Sequence, residues 1–277
     1  MIVCWWSGGI TSAVACQKAI ELYGLDNCEF IFLDTFNEHE DTYRFKKDCE
    51  KWYCKEIKTL SAIPEIYKSI QDCWEKHQSL NVASGAVCSY KLKRVVREKW
   101  QKTADYEHQV FGFEFTPREL KRAIGLKTNH PKTKAIFPLL MLGLDKKDCI
   151  DIVQAEAIEL PTSYKLGFSN NNCLRTGCVQ GGVGYWQKMR RDFPDKFQAM
   201  ADIEHKLTDS KGKPITMLRR KKQNVFLIPH PNYPELEKFD NLKGREPKPL
   251  TDCIGLCGTD DLLPKNKTEK EIAWESL

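Results

Sequence analysis

Residues 1–15 read MIVCWWSGGITSAVA, and the order of residue types in this stretch decides the fold class. Ile2–Trp6 is an unbroken apolar run, as expected of a strand buried on both faces. Ser7-Gly8-Gly9 interrupts it, and residues 11–23 then carry apolar side chains at helical spacing. A strand, a glycine turn and a helix aim backbone N–H groups and the positive end of a helix dipole at one point. The glycines let an anion approach the backbone closely, and Ser7, Thr11 and Ser12 add hydroxyl donors. The competing reading is a tight turn with an ordinary hydroxyl cap. The strand before it, the helix after it and the further hydroxyl at Ser12 favour a phosphate-binding loop.

Outward from this loop, strands and helices alternate. CEFIFLDT (28–35), CKEIKTL (54–60), HQVFGFE (108–114) and KAIFPLL (134–140) read as further strands. Between them, residues 40–53, 63–77 and 90–102 read as helices. This order predicts an α/β fold with a parallel twisted sheet covered by helices on both faces. After about residue 145 the pattern changes to a helix over 145–158, an Asn-, Gly- and Cys-rich stretch over 167–184, and a helical run over 184–207. Pro194 divides that run into two helices. The expected organisation is a nucleotide-binding domain over 1–160 and a smaller helical, Cys-rich region over 161–277.

The chain has 277 residues, 41% hydrophobic and 29% charged, within the range of ordinary folded domains. No apolar run reaches membrane-spanning length, and the first residues lack the basic and apolar segments of a signal peptide. A cytoplasmic enzyme with no membrane partner is the expectation. The net charge is +5, concentrated in KLKRVVREKW (91–100), PRELKRA (117–123), KMRR (188–191) and RRKK (219–222). Solvated helix faces explain any one cluster, while several together suit a polyanionic partner.

The motifs resemble one known superfamily. Ser7-Gly8-Gly9-Ile10-Thr11-Ser12 is similar to the SGGxxS loop of the PP-loop ATP pyrophosphatases, and the phosphoadenylyl-sulfate (PAPS) reductase-like family within them fits best. LDTFNEHEDTYRF (33–45) resembles that family's Asp-Thr-Gly segment, with Asp34, Thr35 and Thr42 in place. Phe36 stands where glycine is usual and Asp41 replaces a glutamate. CSYKLKR (88–94) resembles its Cys-x-x-x-Lys segment, with Lys93 or Lys91 as the lysine, and Arg118, Glu119 and Arg122 resemble its basic segment after the fourth strand, where Glu114 takes the place of an arginine. The likeness covers about residues 1–185. It implies an adenine nucleotide alpha hydrolase-like fold. It implies ATP with Mg²⁺ held by Ser7, Gly8, Gly9, Thr11, Ser12, Asp34, Thr35, Arg118 and Arg122, and catalysis by Asp34, Lys93 and Cys88.

Twelve cysteines are an unusual number for a chain without a secretory signal, so a disulfide framework is not expected. Cys4, Cys16, Cys28, Cys49, Cys54, Cys73 and Cys149 lie in strand- or helix-like runs and read as small buried apolar residues. Cys173 and Cys178, then Cys253 and Cys257, lie among glycines and turn residues. Two such pairs suit a metal, either a zinc ion or a [4Fe-4S] cluster. Relatives that carry such clusters tilt the choice to iron–sulfur. Cys88 is a fifth candidate, as a ligand or as a reactive thiol.

Three functions follow from these residues. The first is an adenylating enzyme that forms AMP and pyrophosphate and passes sulfur, delivered by a donor protein, to a tRNA or DNA base or to a small molecule. The second is a sulfonucleotide reductase. Its usual tail motif Glu-Cys-Gly-(Leu/Ile)-His is only approximated by DCIGLCG (252–258), and its tandem cysteines are reduced to Cys88 alone. The third is a nucleic-acid-binding protein with a structural metal and a vestigial nucleotide site.

Overall fold

A computed structural model describes residues 1–82 and 85–250. The chain begins with β1 (Ile2–Trp6), α1 (Ile10–Tyr23), β2 (Cys28–Leu33), α2 (Asp41–Tyr53) and β3 (Ile57–Leu60). Then come α3 (Ile70–His77), a short hairpin of β4 (Asn81–Val82) and β5 (Gly85–Ala86), a π-helical turn over Ser89–Arg94, and α4 (Val95–Gln101). β6 (His108–Val110), α5 (Pro117–Asn129), β7 (Ala135–Ile136), α6 (Pro138–Leu142) and α7 (Lys146–Ala155) complete the α/β layer. After α8 (Thr162–Lys165), helices α9 (Val183–Asp192) and α10 (Pro194–Lys211) precede a hairpin of β8 (Leu218–Arg220) and β9 (Gln223–Val225).

Five strands form one parallel sheet in the order β3-β2-β1-β6-β7. Alternation along β1 assigns its two faces. Ile2, Cys4 and Trp6 pack with α1, α2 and α7, while Val3 and Trp5 pack with α5, Phe111, Phe113 and Phe137. Both faces are covered, as the apolar strands require. A third core joins two distant parts of the chain. Ala62, Tyr67, Cys73, Trp74, Cys88 and Leu92 pack with Trp186, Met200, Leu207 and Phe239. No helix among the described residues is long and apolar enough to cross a membrane.

Several local expectations are corrected. The run 134–140 is not all strand. Pro138 has no N–H for the ladder but suits the first helical position, so β7 stops at Ile136 and α6 begins. The helix expected over 63–77 starts only at Ile70, where the Ser69 hydroxyl caps it by accepting from the Asp72 amide at 3.1 Å. The strand at 108 pairs over three residues, although the Phe111 amide still donates to the Ile136 carbonyl at 3.1 Å. The division at Pro194 is present, with the proline at the first position of α10. Of the seven cysteines read as buried, six are, and Cys54 is exposed. It ends α2 in the left-handed conformation, at φ 53° and ψ 31°.

Glu204 on α10 is fully buried. Its two oxygens accept from the amides of Met217 at 2.7 Å and Leu227 at 2.8 Å, tying the helix to segments on either side of the hairpin. Burial raises its carboxyl pKa from 4.5 to about 8, against the lowering effect of the two amides.

Two outcomes are expected. Cys54→Gly removes a left-handed side-chain conflict at an exposed site and raises unfolding stability by up to ~1 kcal/mol in urea titrations; a decrease contradicts this. For Glu204 the folded pKa lies above the unfolded one, so its contribution is complete below pH 4.5 and is lost as the pH rises through 8. The stability of the wild type relative to Glu204→Ala therefore shrinks across that window, and a constant difference would refute the assignment.

Candidate functional site

The loop after β1 is closed by its own side chains. The Ser12 hydroxyl accepts from the Ser7 amide at 2.9 Å, lies 3.0 Å from the Ser7 hydroxyl, and donates to the Gly9 carbonyl at 2.8 Å. Ser7, Thr11 and Ser12 are all buried. The Ile10 amide donates to the Tyr164 hydroxyl at 3.2 Å. Gly8 adopts φ +90°, and a Cβ there would lie 2.9 Å from the Thr42 methyl, so both conformation and space demand glycine. The first turn of α1 carries no acidic residue, which leaves the positive end of its dipole to an anion from outside.

Parallel pairing of β1 with β2 sets Asp34 and Thr35 beside this loop. Asp34 is buried, and its carboxylate accepts from the Phe36 amide at 2.7 Å and the Tyr43 hydroxyl at 3.1 Å. Phe36 has φ +52°, the conformation for which glycine is favoured, and its ring is 47% exposed. Asp41 is a structural anchor. It binds the Arg44 guanidinium at 2.7 Å and accepts from the Thr162 amide at 2.7 Å, and these contacts hold its carboxyl down to about 2, Arg44 most of all.

A cleft with about 590 Å³ of empty space, open to solvent, adjoins the loop. Thr11, Gly112, Glu114, Arg118, Glu119, Lys146 and Asn170 line it, with Pro249 and Leu250 at its edge. Glu114 stands where an arginine was expected, yet the Lys146 ammonium lies 3.1 Å from it, so a cation reaches this wall from α7 instead. Arg118 also donates to the Pro249 carbonyl at 3.2 Å. Arg122 is buried, with its guanidinium 4.4 Å from the Phe113 ring centre and an ion pair to Glu119. Arg118 thus lines the cleft, while Arg122 sits beneath it.

Cys88, Cys173 and Cys178 line one cavity with Asn37, Trp74 and Ser89. Each of the three is only 8% exposed. Cys88 immediately precedes the π-helical turn, which turns Lys93 inward. Lys93 meets Glu38 at 3.2 Å, and both side chains are 2% exposed. Lys91 lies over the Tyr90 ring instead. The Cys173 sulfur lies 4.0 Å from the Thr35 hydroxyl, so the cysteine cavity abuts the end of β2. Nearby Cys73 is pushed up to about 12, mainly by burial. Cys253 and Cys257 lie outside the described residues. Among the described residues no group of three or more His, Cys, Asp or Glu is arranged to hold a metal ion. Two of the four expected ligands thus fall outside the described residues, while the other two, Cys173 and Cys178, share one cavity with Cys88.

The chain is similar to a phosphoadenylyl-sulfate (PAPS) reductase. That solved structure is the phosphate complex of the enzyme from Candida auris. The two chains are 15% identical, with a TM-score of 0.45 over 60% of this chain and 78% of that one. No family model matches the chain. No curated protein matches it either.

Several residues at the site escaped the sequence reading. Asn170, Asn171 and Asn172 run from the cleft, past the loop, to the cysteine cavity. Their stretch was noticed for its cysteines and glycines, and nothing in three consecutive asparagines says which faces which site. Glu38 and Lys146 gave no signal, because each acts through a partner far away in sequence. Tyr164 lies between the helix expected over 145–158 and the Asn-rich stretch, in a segment given no role.

Gly112 provides the test of this geometry. A Cβ there would lie 2.5 Å from the Ser12 Cα and 2.6 Å from the Ser12 amide nitrogen, both main-chain atoms. Gly112→Ala is expected to push α1 away from the sheet. It should lower stability by about 1–3 kcal/mol and weaken Mg-ATP binding in calorimetry. Unchanged binding would show that the close approach does not shape the loop.

Proposed function

We propose that this chain is a PP-loop ATP pyrophosphatase that adenylates an acceptor and then presents it to sulfur. An acceptor oxygen attacks the α-phosphorus, and pyrophosphate leaves from the Ser7–Ser12 loop. Gly8 and Gly9 allow its close approach, and the dipole of α1 favours its charge. Asp34 and Thr35 border the nucleoside, and Arg118 and Lys146 set positive charge in the cleft. Sulfur then displaces AMP from the activated acceptor on the side where Cys88, Cys173 and Cys178 gather. Lys93 reaches a phosphate only by leaving Glu38. In this reading tRNA, DNA or a small molecule is the acceptor, and a donor protein supplies sulfur. The observation that carries the proposal is the 4.0 Å contact between Thr35 and Cys173, which sets a thiol beside the nucleotide strand end.

One observation favours a second reading, a sulfonucleotide reductase. DCIGLCG (252–258), outside the described residues, approximates the tail motif of that class, and Cys253 in it would be the thiol that attacks the sulfonucleotide.

Product analysis separates the two. With Mg-ATP and an acceptor, the first reading expects AMP and pyrophosphate. Ser7→Ala and Asp34→Ala should each reduce this turnover by about tenfold or more. ADP as the product overturns it. Sulfite release from PAPS with a dithiol reductant, abolished in Cys253→Ser, establishes the second.

A further inference from the structure

We infer that Asn171 is a positioning residue that sets the orientation of the Gly8–Gly9 peptide and links the nucleotide loop to the cysteine cavity. The inference rests on the reading that the Ser7–Ser12 loop binds nucleotide phosphates. Asn171 is buried and comes from the segment between α8 and α9, more than 160 positions along the chain from the loop. Its amide nitrogen donates to the Gly8 carbonyl at 2.8 Å and to the Thr42 hydroxyl at 3.0 Å. Its carbonyl oxygen accepts from the Ser163 hydroxyl at 2.7 Å. The Gly8 carbonyl can only accept, so the NH₂ group must face the loop, and the whole carboxamide is fixed.

Peptide planarity turns this contact into a functional one. In a trans peptide the C=O and the following N–H point in opposite directions. Holding the Gly8 carbonyl toward Asn171 therefore directs the Gly9 N–H to the other side of the peptide. Gly9 is the N-cap residue of α1, where the helix dipole favours an anion. A glycine–glycine peptide has little intrinsic preference between the two orientations, so an outside restraint decides.

The same segment also grips the end of β2. Two residues after Asn171, Cys173 meets Thr35. The Arg175 amide then donates to the Asn37 carbonyl at 3.2 Å, and the Asn37 side chain donates to the Thr176 hydroxyl at 2.8 Å. A phosphate that orders the loop through Gly9 also orders Asn171 and the residues after it. By linkage, rigidity in that segment favours the phosphate in return.

The test uses the full chain, Mg-ATP and inorganic pyrophosphate as probes, calorimetry for affinity, and hydrogen exchange read by mass spectrometry. In the wild type, either probe slows exchange in peptides covering 7–12 and also in those covering 171–178. Asn171→Ala weakens binding by about tenfold and confines protection to the loop peptides. Asn171→Asp weakens it further, because a carboxylate facing the Gly8 carbonyl repels it. A purely structural role would lower stability but leave affinity per folded molecule and the spread of protection unchanged, and that result overturns the inference. Ser163→Ala leaves both loop contacts in place and serves if the Asn171 variants do not fold. Affinity then falls by about threefold, and no change overturns the inference. Wild-type binding without protection of 171–178 removes the link alone. No wild-type binding of either probe removes the nucleotide reading as well.

Discussion

A Cβ on Gly112 would stand 2.5 Å from the Cα of Ser12, so the chain leaving β6 passes the first turn of α1 at main-chain contact. Little can shift between two main-chain segments this close. The amino end of α1 is thereby held at the carboxyl ends of β1 and β6. That position sets where the helix dipole points, where the cleft opens, and how near β2 brings Asp34 and Thr35. The Thr42 methyl closes on Gly8 from the other side, so the loop is confined on two flanks by packing and on a third by Asn171.

Much of this frame was legible from residue order. Apolar runs at 2–6 and 28–33 became two of the three inner strands, and the loop between β1 and α1 took the strand–turn–helix form that its glycines required. Asp34 and Thr35 were singled out by the resemblance of their segment, and they lie just past β2, beside that loop. What failed had local physical causes. A proline cut short the strand at 134–140, a serine cap delayed the helix after residue 63, and the left-handed turn at Cys54 left one cysteine exposed. Long-range pairing was beyond reach. Nothing local to Lys93 announces Glu38, and Glu114 looked like the loss of a cation until Lys146 appeared beside it.

Charge and sulfur divide the site into two regions. On the cleft side, Arg118, Lys146, Glu114 and Glu119 are ionic groups bordered by solvent, where screening keeps each pair weak. On the cavity side, the three thiols sit among Trp74, Asn37 and Val179, and burial raises the pKa of neighbouring Cys73. The stretch of asparagines joins the two regions, with Asn170 on the cleft and Asn172 on the cavity.

The mixed parentage of the third core bears on how the chain is made. Tyr67, Cys73, Trp74, Cys88 and Leu92 have no complete core until Trp186, Met200 and Phe239 arrive. Cys88 leaves the ribosome 85 positions ahead of Cys173, a delay on the order of 5–15 seconds at typical synthesis rates. During that interval the parallel sheet can form from the first half of the chain, while the wall around Cys88 lacks its partner. The thiol cavity is thus assembled last, onto a sheet and glycine loop that already exist.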